Sequence, residues 1–276
     1  FQGSFHGRSY AGVSLTASKV KYRKGFGPLL PETYHLPFHN PYRNNLEDCL
    51  KAAKDLFETK LDPTEIAAVI MEPLQGEGGY IIPSKEFLQY WRNVCTEHGI
   101  LLVFDEVQTG AGRTGKMWAC EHYGVVPDIL VAAKGLGSGM PIGAIIAKEP
   151  VMTWPRGSHG STYGGNPVAC AAALATLALI KSELAANAAK MGERLLAGMK
   201  KLQAKYDCIG DVRGLGLFIG VEFVKDRKTK EPASGLAARL EQLAFTKGLL
   251  LLGCGKSAIR VAPPLVLTAS DVDKGL

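Results

Sequence analysis

Three short apolar runs each stop at a residue able to do acid–base or nucleophilic chemistry. Residues 66–71 close on Glu72-Pro73, residues 100–104 on Asp105-Glu106, and residues 129–133 on Lys134-Gly135. A continuous apolar run of this length, bounded by turn residues, is the pattern of a strand buried on both faces. In an open α/β sheet, ligands bind outside the carboxyl ends of the strands, so these three charges would converge on one crevice. For any one of them the plain alternative is a charge that marks where a buried strand reaches solvent. Three in succession favour a site.

A lysine in an apolar, glycine-rich setting has its charged form disfavoured by burial and is ready to condense with a carbonyl. Ser161-Thr162-Tyr163-Gly164-Gly165 leads into a helical stretch, a placement that suits a phosphate at a helix N-terminus. An acid at a neighbouring strand end, the lysine and the phosphate cradle together point to an aldehyde cofactor that bears a phosphate.

The elements that must carry these groups follow from hydrophobic periodicity. Between residues 46 and 147 strand-like runs alternate with helical patterns, which predicts an α/β sheet. Pro83-Ser84-Lys85-Glu86 opens a helix ahead of Phe87, Leu88 and Trp91, and Gly99 ends it, so this helix is the crossover between the first two strands. From Asn166 the chain is alanine-rich and helical to about Ile180. A second helical segment, residues 183–206, follows a short break. The tail predicts a strand at 217–224, a polar turn at 225–232, a helix at 236–246 and a strand at 258–261. The expected architecture is a large mixed-sheet α/β domain over residues 1–180 and a smaller C-terminal α+β domain over 181–276.

Other patterns lose to their context. Gly110-Ala111-Gly112-Arg113-Thr114-Gly115-Lys116 matches most of a phosphate-binding P-loop. Met117, however, stands where a magnesium-binding Ser or Thr is needed, and only three residues separate Glu106 from Gly110. The metal-binding acid and the loop of a nucleotide triphosphatase belong to different parallel strands, whose connection takes about a dozen residues or more. Gly135, Gly137 and Gly139, and Gly214 with Gly216, lack the rest of the dinucleotide fingerprint and read as turns. His35 and His39 are spaced as on a helix face, but Pro37 lies between them and no Glu completes a zinc site, so no metal is expected.

Composition sets the outer bounds. With 276 residues, 46% hydrophobic and 21% charged, the chain can bury a large core. Its net charge of +6 is spread along the sequence, without the concentrated basic patch of a nucleic-acid binder. Cys49, Cys95, Cys120, Cys170, Cys208 and Cys254 lie far apart and read as reduced thiols. No uninterrupted apolar stretch reaches the ~20 residues of a membrane span, and no signal-peptide pattern opens the chain, so no membrane partner is expected and the cytoplasm is the default location. Phe1-Gln2-Gly3-Ser4 stands open as native sequence or as the scar of a cleaved tag.

Five motifs in order, Glu72-Pro73-Leu74-Gln75-Gly76-Glu77, Phe104-Asp105-Glu106-Val107-Gln108, Arg113-Thr114-Gly115, Ala133-Lys134-Gly135 and Ser161-Thr162-Tyr163-Gly164-Gly165-Asn166, resemble the class III aminotransferases. These are pyridoxal-phosphate enzymes of fold type I, and the likeness covers nearly the whole chain. The resemblance implies that Lys134 carries the cofactor covalently, that Asp105 keeps its pyridine nitrogen protonated and that Gln108 contacts its phenolic oxygen. Phe5 would stack on the ring, with His6 in the same cofactor-binding set. Thr162 would reach the phosphate across a homodimer interface, so that the two sites are shared.

For the substrate, the resemblance implies that Arg260 grips an α-carboxylate and that Glu77 pairs with Arg260 when the bound amine lacks that group. Arg8 would take the distal carboxylate of an ω-amino acid, or else make an ordinary surface pair. Glu72 would be either substrate-facing or a support. The implied reaction is ping-pong transamination of an ω-amino acid such as 4-aminobutyrate with a keto acid, 2-oxoglutarate or pyruvate. Acetylornithine and ornithine aminotransferases compete with this reading. So do other pyridoxal-phosphate reactions (aminomutation, racemisation, decarboxylation) and a non-catalytic cofactor-binding or partner subunit. Family members also carry an N-terminal segment with a small-residue phosphate cup and extend further at the C-terminus, so the chain is expected to be a fragment.

Overall fold

The computed structural model describes residues 1–276 and contains two four-stranded sheets joined by one long helix. The first sheet runs β1 (Ala68–Met71), β2 (Leu101–Asp105), β3 (Ile129–Ala132), β4 (Ala144–Ala147) in spatial order. β1 to β3 are parallel and β4 closes the edge antiparallel, the mixed sheet that the sequence predicts. The parallel register sets Met71 beside Phe104 and Asp105 beside Val131, so the residues that follow all three strands emerge on the same edge.

Before these strands lie α1 (Tyr10–Leu15) and α2 (Leu46–Thr59). The crossover is α3 (Lys85–His98), as the proline and glycine signals predict. Ser84 caps it by accepting from the Phe87 amide, and Gly99 stops it at a φ of 70°, a left-handed conformation that glycine adopts without steric cost. Its Phe87, Leu88 and Trp91 are buried among the residues of β1 and β2. Burying such a side chain contributes about 1.5–3 kcal/mol each, so this face fixes the helix on the sheet.

Pro167–Leu179 (α4) and Ala185–Lys205 (α5) are not separated by a break. A π-helical turn, Ile180–Leu184, carries the helix through. The sequence predicts a short break between Ile180 and Glu183, but a helix surface accommodates the polar Lys181 and Ser182, and buried Ile180 keeps that turn pinned. By length and composition alone the helix could cross a membrane, although Lys181 and Glu183 fall within its apolar half.

The second sheet is antiparallel throughout, in the order β5 (Ile209–Leu215), β6 (Phe218–Phe223), β8 (Ala258–Val261), β7 (Leu252–Cys254). α5 packs on β5, α6 (Ser234–Thr246) covers β7 and β8, and α7 (Ala269–Gly275) lies on α5. The strands at 217–224 and 258–261 are present as β6 and β8, whereas β5 and β7 were not foreseen. Contact between α5 and the β5–β6 turn is so close that a Cβ on Gly192 would stand 2.1 Å from the Gly216 carbonyl oxygen.

The loop after β1 is the seam between the sheets. Arg213 of β5 donates from Nε to the Tyr80 carbonyl at 3.0 Å and from Nη2 to the Gly79 carbonyl at 2.5 Å. Its Nη1 is held by Asp211 and Glu222 at 2.6 and 2.8 Å. Tyr80 stacks on Phe218 of β6 with ring centroids 3.7 Å apart and planes 4° from parallel. These contacts hold residues 79–80 against β5 and β6, and β6 pairs with β8, which carries Arg260.

Candidate active site

Asp105 ends β2 and is held on both oxygens. Oδ2 lies 2.8 Å from His6 Nδ1, and Oδ1 accepts from the Val107 amide at 3.0 Å. His6 is nearly buried, and its Nε2 has no partner. Its own backbone amide donates to Thr16 Oγ1 at 2.9 Å, which ties the segment to the end of α1.

Glu72, the residue directly after β1, is turned inward. Its two oxygens accept from the Phe5 amide at 3.0 Å and the Gly76 amide at 2.8 Å. Burial is the larger effect and pushes the carboxyl up to about 7, against the hydrogen bonds and the His6 charge that would lower it. Of the two roles expected for Glu72, this geometry favours support: both oxygens are spent on backbone, and only 4% of the residue is exposed.

Lys134 follows β3 at a φ of 45°. A left-handed lysine costs roughly 1 kcal/mol or more and is held here by its surroundings. The residue opens a cavity of about 420 Å³ that Tyr80, Val107, Gln108, Ala111, Arg113 and Gly135 help to line. Burial lowers the ammonium's pKa, and the charges of Glu72 and Asp105 only partly oppose this. Gln108 reaches the same cavity, where its Nε2 donates to the Tyr80 hydroxyl at 2.8 Å. Gly76 makes room for that amide, since a Cβ there would stand 2.1 Å from Gln108 Oε1.

Glu77 Oε1 forms an ion pair with Arg260 Nη2. Its other oxygen accepts from Lys19 Nζ at 3.2 Å and from the Tyr22 hydroxyl at 3.0 Å. Burial works against ionisation of Glu77, but the bond and charge of Arg260, helped by Lys19, outweigh it and hold the carboxyl below its usual range. Arg260 also donates to the Gly253 carbonyl at 3.1 Å, and its Nε is buried without a partner. Arg8 is exposed, with its guanidinium 4.8 Å from the Tyr22 ring and 5.9 Å from the Phe5 ring. Phe5 meets Tyr22 edge-on at 5.1 Å.

The structure thus gathers Phe5, His6, Glu72, Glu77, Asp105, Gln108, Lys134 and Arg260 around the strand ends. Thr162 is not among them: it lies in the exposed stretch 152–165. At the helix N-terminus that follows, Asn166 Oδ1 accepts from the Ala169 amide at 2.9 Å and Pro167 fills the first helical position. Lys19, Tyr22 and Tyr80 were missed. Lys19 and Tyr22 meet Glu77 across more than fifty positions of sequence, which leaves no local signal.

The family model for aminotransferase class-III matches residues 1–276. The chain is 41% identical over 292 residues to the 4-aminobutyrate aminotransferase of Mycobacterium tuberculosis (strain H37Rv), covering 100% of this chain and 65% of that protein. It is 41% identical over 282 residues to the 5-aminovalerate aminotransferase of Pseudomonas aeruginosa, covering 100% of this chain and 66% of that protein. Among solved structures, an amine transaminase from an uncultivated Pseudomonas species, in its PLP-bound form, is similar with a TM-score of 0.90. The two are 35% identical over 99% of this chain and 66% of that one. The chain therefore spans about two thirds of the length of the relatives it matches.

Proposed function

The chain belongs to the class-III aminotransferase family, with fold type I and pyridoxal phosphate as cofactor, and we propose that it transfers the amino group of an ω-amino acid such as 4-aminobutyrate to a keto acid such as 2-oxoglutarate. The observation that carries this reading is Arg260 paired to Glu77, close enough for both charges to act on Lys134. A pocket whose arginine is neutralised from within accepts an amine flanked by plain methylene groups. The same arginine, released, binds an α-carboxylate. Relatives named for 4-aminobutyrate and 5-aminovalerate support the same substrate class.

The residues present suit the cofactor. A cavity of about 420 Å³ lies in the usual range for small-molecule sites, and Lys134 and Gln108 both line it. Bound there, pyridoxal phosphate supplies an electron sink for the bond broken at the substrate carbon. Lys134 would hold it covalently and, once displaced by the substrate amine, would carry a proton between two carbons. Asp105, steadied by His6 and the Val107 amide, would hold a proton at the pyridine nitrogen. Phe5 would cover the ring, and Gln108 would exchange the Tyr80 hydroxyl for the phenolic oxygen.

Arg8 would meet the distal carboxylate of substrate from its place over Tyr22. A homodimer belongs to the same reading. Thr162 lies on a surface with Tyr163 79%, Val168 64% and Leu174 70% exposed, an apolar face suited to a second copy whose phosphate site Thr162 would complete. The six free thiols support a reducing compartment, which here means the cytoplasm.

The test is to load the full-length protein with pyridoxal phosphate and follow each half-reaction by cofactor absorbance. 4-Aminobutyrate alone should convert the aldehyde form to the amine form, and 2-oxoglutarate should return it with glutamate as product. Decarboxylated or racemised products, or no conversion, would overturn the reading. Faster turnover of acetylornithine would move the substrate class.

A further inference from the structure

Glu77 is held from two sides by different parts of the chain. Oε1 faces Arg260 of β8, and Oε2 faces Lys19 and Tyr22 of the early segment. Lys19 precedes, and Tyr22 ends, the single 3-10 turn Val20–Tyr22. Residues three apart eclipse each other on such a turn, which is why both reach the same oxygen. The Glu77 and Arg260 side chains are only 15% and 16% exposed, and Lys19 28%. In that setting a carboxylate stripped of its partner is costly.

Arg260 keeps a buried, unpartnered Nε, a donor open to an incoming carboxylate. Such a ligand must take Arg260 from Glu77 Oε1. Two carboxylates would then compete for one guanidinium unless Glu77 had a second cation. We propose that Lys19 and Tyr22 are that standing anchor: they keep Glu77 compensated while Arg260 passes to the ligand. They act through Glu77 and are positioning residues, which set the affinity for an α-carboxylate substrate and leave that for an ω-amine donor unchanged. Neighbouring Lys21 is not part of the anchor, since its ammonium lies over the Tyr22 ring at 5.2 Å and makes no bond to Glu77.

The proposal rests on the transamination reading for its biological meaning, but a binding measurement tests it separately. Glutarate, an unreactive dicarboxylate, is titrated calorimetrically into the cofactor-loaded full-length protein. Lys19→Met is expected to raise its Kd by roughly five- to tenfold, the size of an ordinary coupling between sites. Tyr22→Phe, which removes one hydrogen bond, should raise it by roughly two- to threefold. Lys19→Arg should restore binding, and Lys21→Met, with the same charge removed, should leave it within about twofold because an exposed charge is screened. The KM for 4-aminobutyrate should stay near the wild-type value in Lys19→Met. An unchanged glutarate Kd in Lys19→Met, an equal loss in Lys21→Met, or a parallel rise in the 4-aminobutyrate KM would each overturn the anchor. Failure of the wild type to turn over 4-aminobutyrate would instead count against the proposed reaction, with the glutarate titration still deciding the anchor.

Discussion

Replacing Glu72 by Gln tests whether a buried carboxyl at the end of β1 shapes the pH dependence of the fold. Burial lifts the folded-state pKa from the ordinary 4.5 to about 7. The folded protein therefore keeps a proton that the unfolded chain releases, so stability is lost as pH rises from the unfolded value through the folded one. A separation of about 2.5 pH units, at about 1.4 kcal/mol each, comes to roughly 3 kcal/mol, most of it lost between pH 5 and 8. Glutamine removes the titration. It also turns an NH2 group toward one of the two amide donors, Phe5 or Gly76, which costs about 1–3 kcal/mol at every pH. In urea unfolding of the cofactor-free protein, Glu72→Gln should be the less stable at pH 5, and the gap should close or reverse by pH 8. Curves that run parallel from pH 5 to 8 would refute the assignment of a raised pKa to Glu72.

Two further outcomes follow from single contacts. Lys134→Ala should abolish the borohydride-stable pyridoxal label, read by peptide mass spectrometry, while unfolding stability stays within about 1 kcal/mol because no salt bridge is lost; a label retained on another lysine would refute the site. Gly192→Ala should lower the urea midpoint by an amount equivalent to roughly 2–3 kcal/mol, since its Cβ would stand 2.1 Å from the Gly216 carbonyl oxygen and α5 must move off the β5–β6 turn; an unaltered midpoint would refute that packing.

What could be read in advance depended on whether a local pattern reported the physics. β1, β2 and β3 are central parallel strands, so they appear as unbroken apolar runs, and the groups behind them, Asp105 and Lys134, stand out by position. β5 carries Gly210, Asp211, Arg213 and Gly214 within seven residues and shows no strand pattern. Its polar residues are satisfied by tertiary partners, Glu222 and the Gly79 and Tyr80 carbonyls, which no window of sequence contains. The same holds for Lys19 and Tyr22 on Glu77. In the opposite direction, the short break expected between Ile180 and Glu183 is a π turn, because a helix surface carries the polar Lys181 and Ser182 without interruption.

Four carboxylates near the strand ends show how environment, more than residue type, divides the work. Glu106 is buried and accepts from Thr109 Oγ1 and the Ala119 and Cys120 amides at 2.8–2.9 Å, which folds residues 107–120 back over it. Burial raises its pKa despite those bonds, as it does for Glu72. Neither carboxyl faces a cation directly, and both spend their oxygens on the backbone, so their task is to hold the loops that carry Gln108, Phe5 and Gly76. Glu77 differs because Arg260 and Lys19 overcome its burial and keep it charged. A charge shared between two cations can be handed from one to the other, whereas a carboxyl locked by amides cannot. Asp105 lies between these cases, fixed by one amide and one imidazole. The exchangeable group is therefore Glu77, and a search for substrate control in this chain belongs at its two partners, Arg260 and Lys19, ahead of the more deeply buried Glu72.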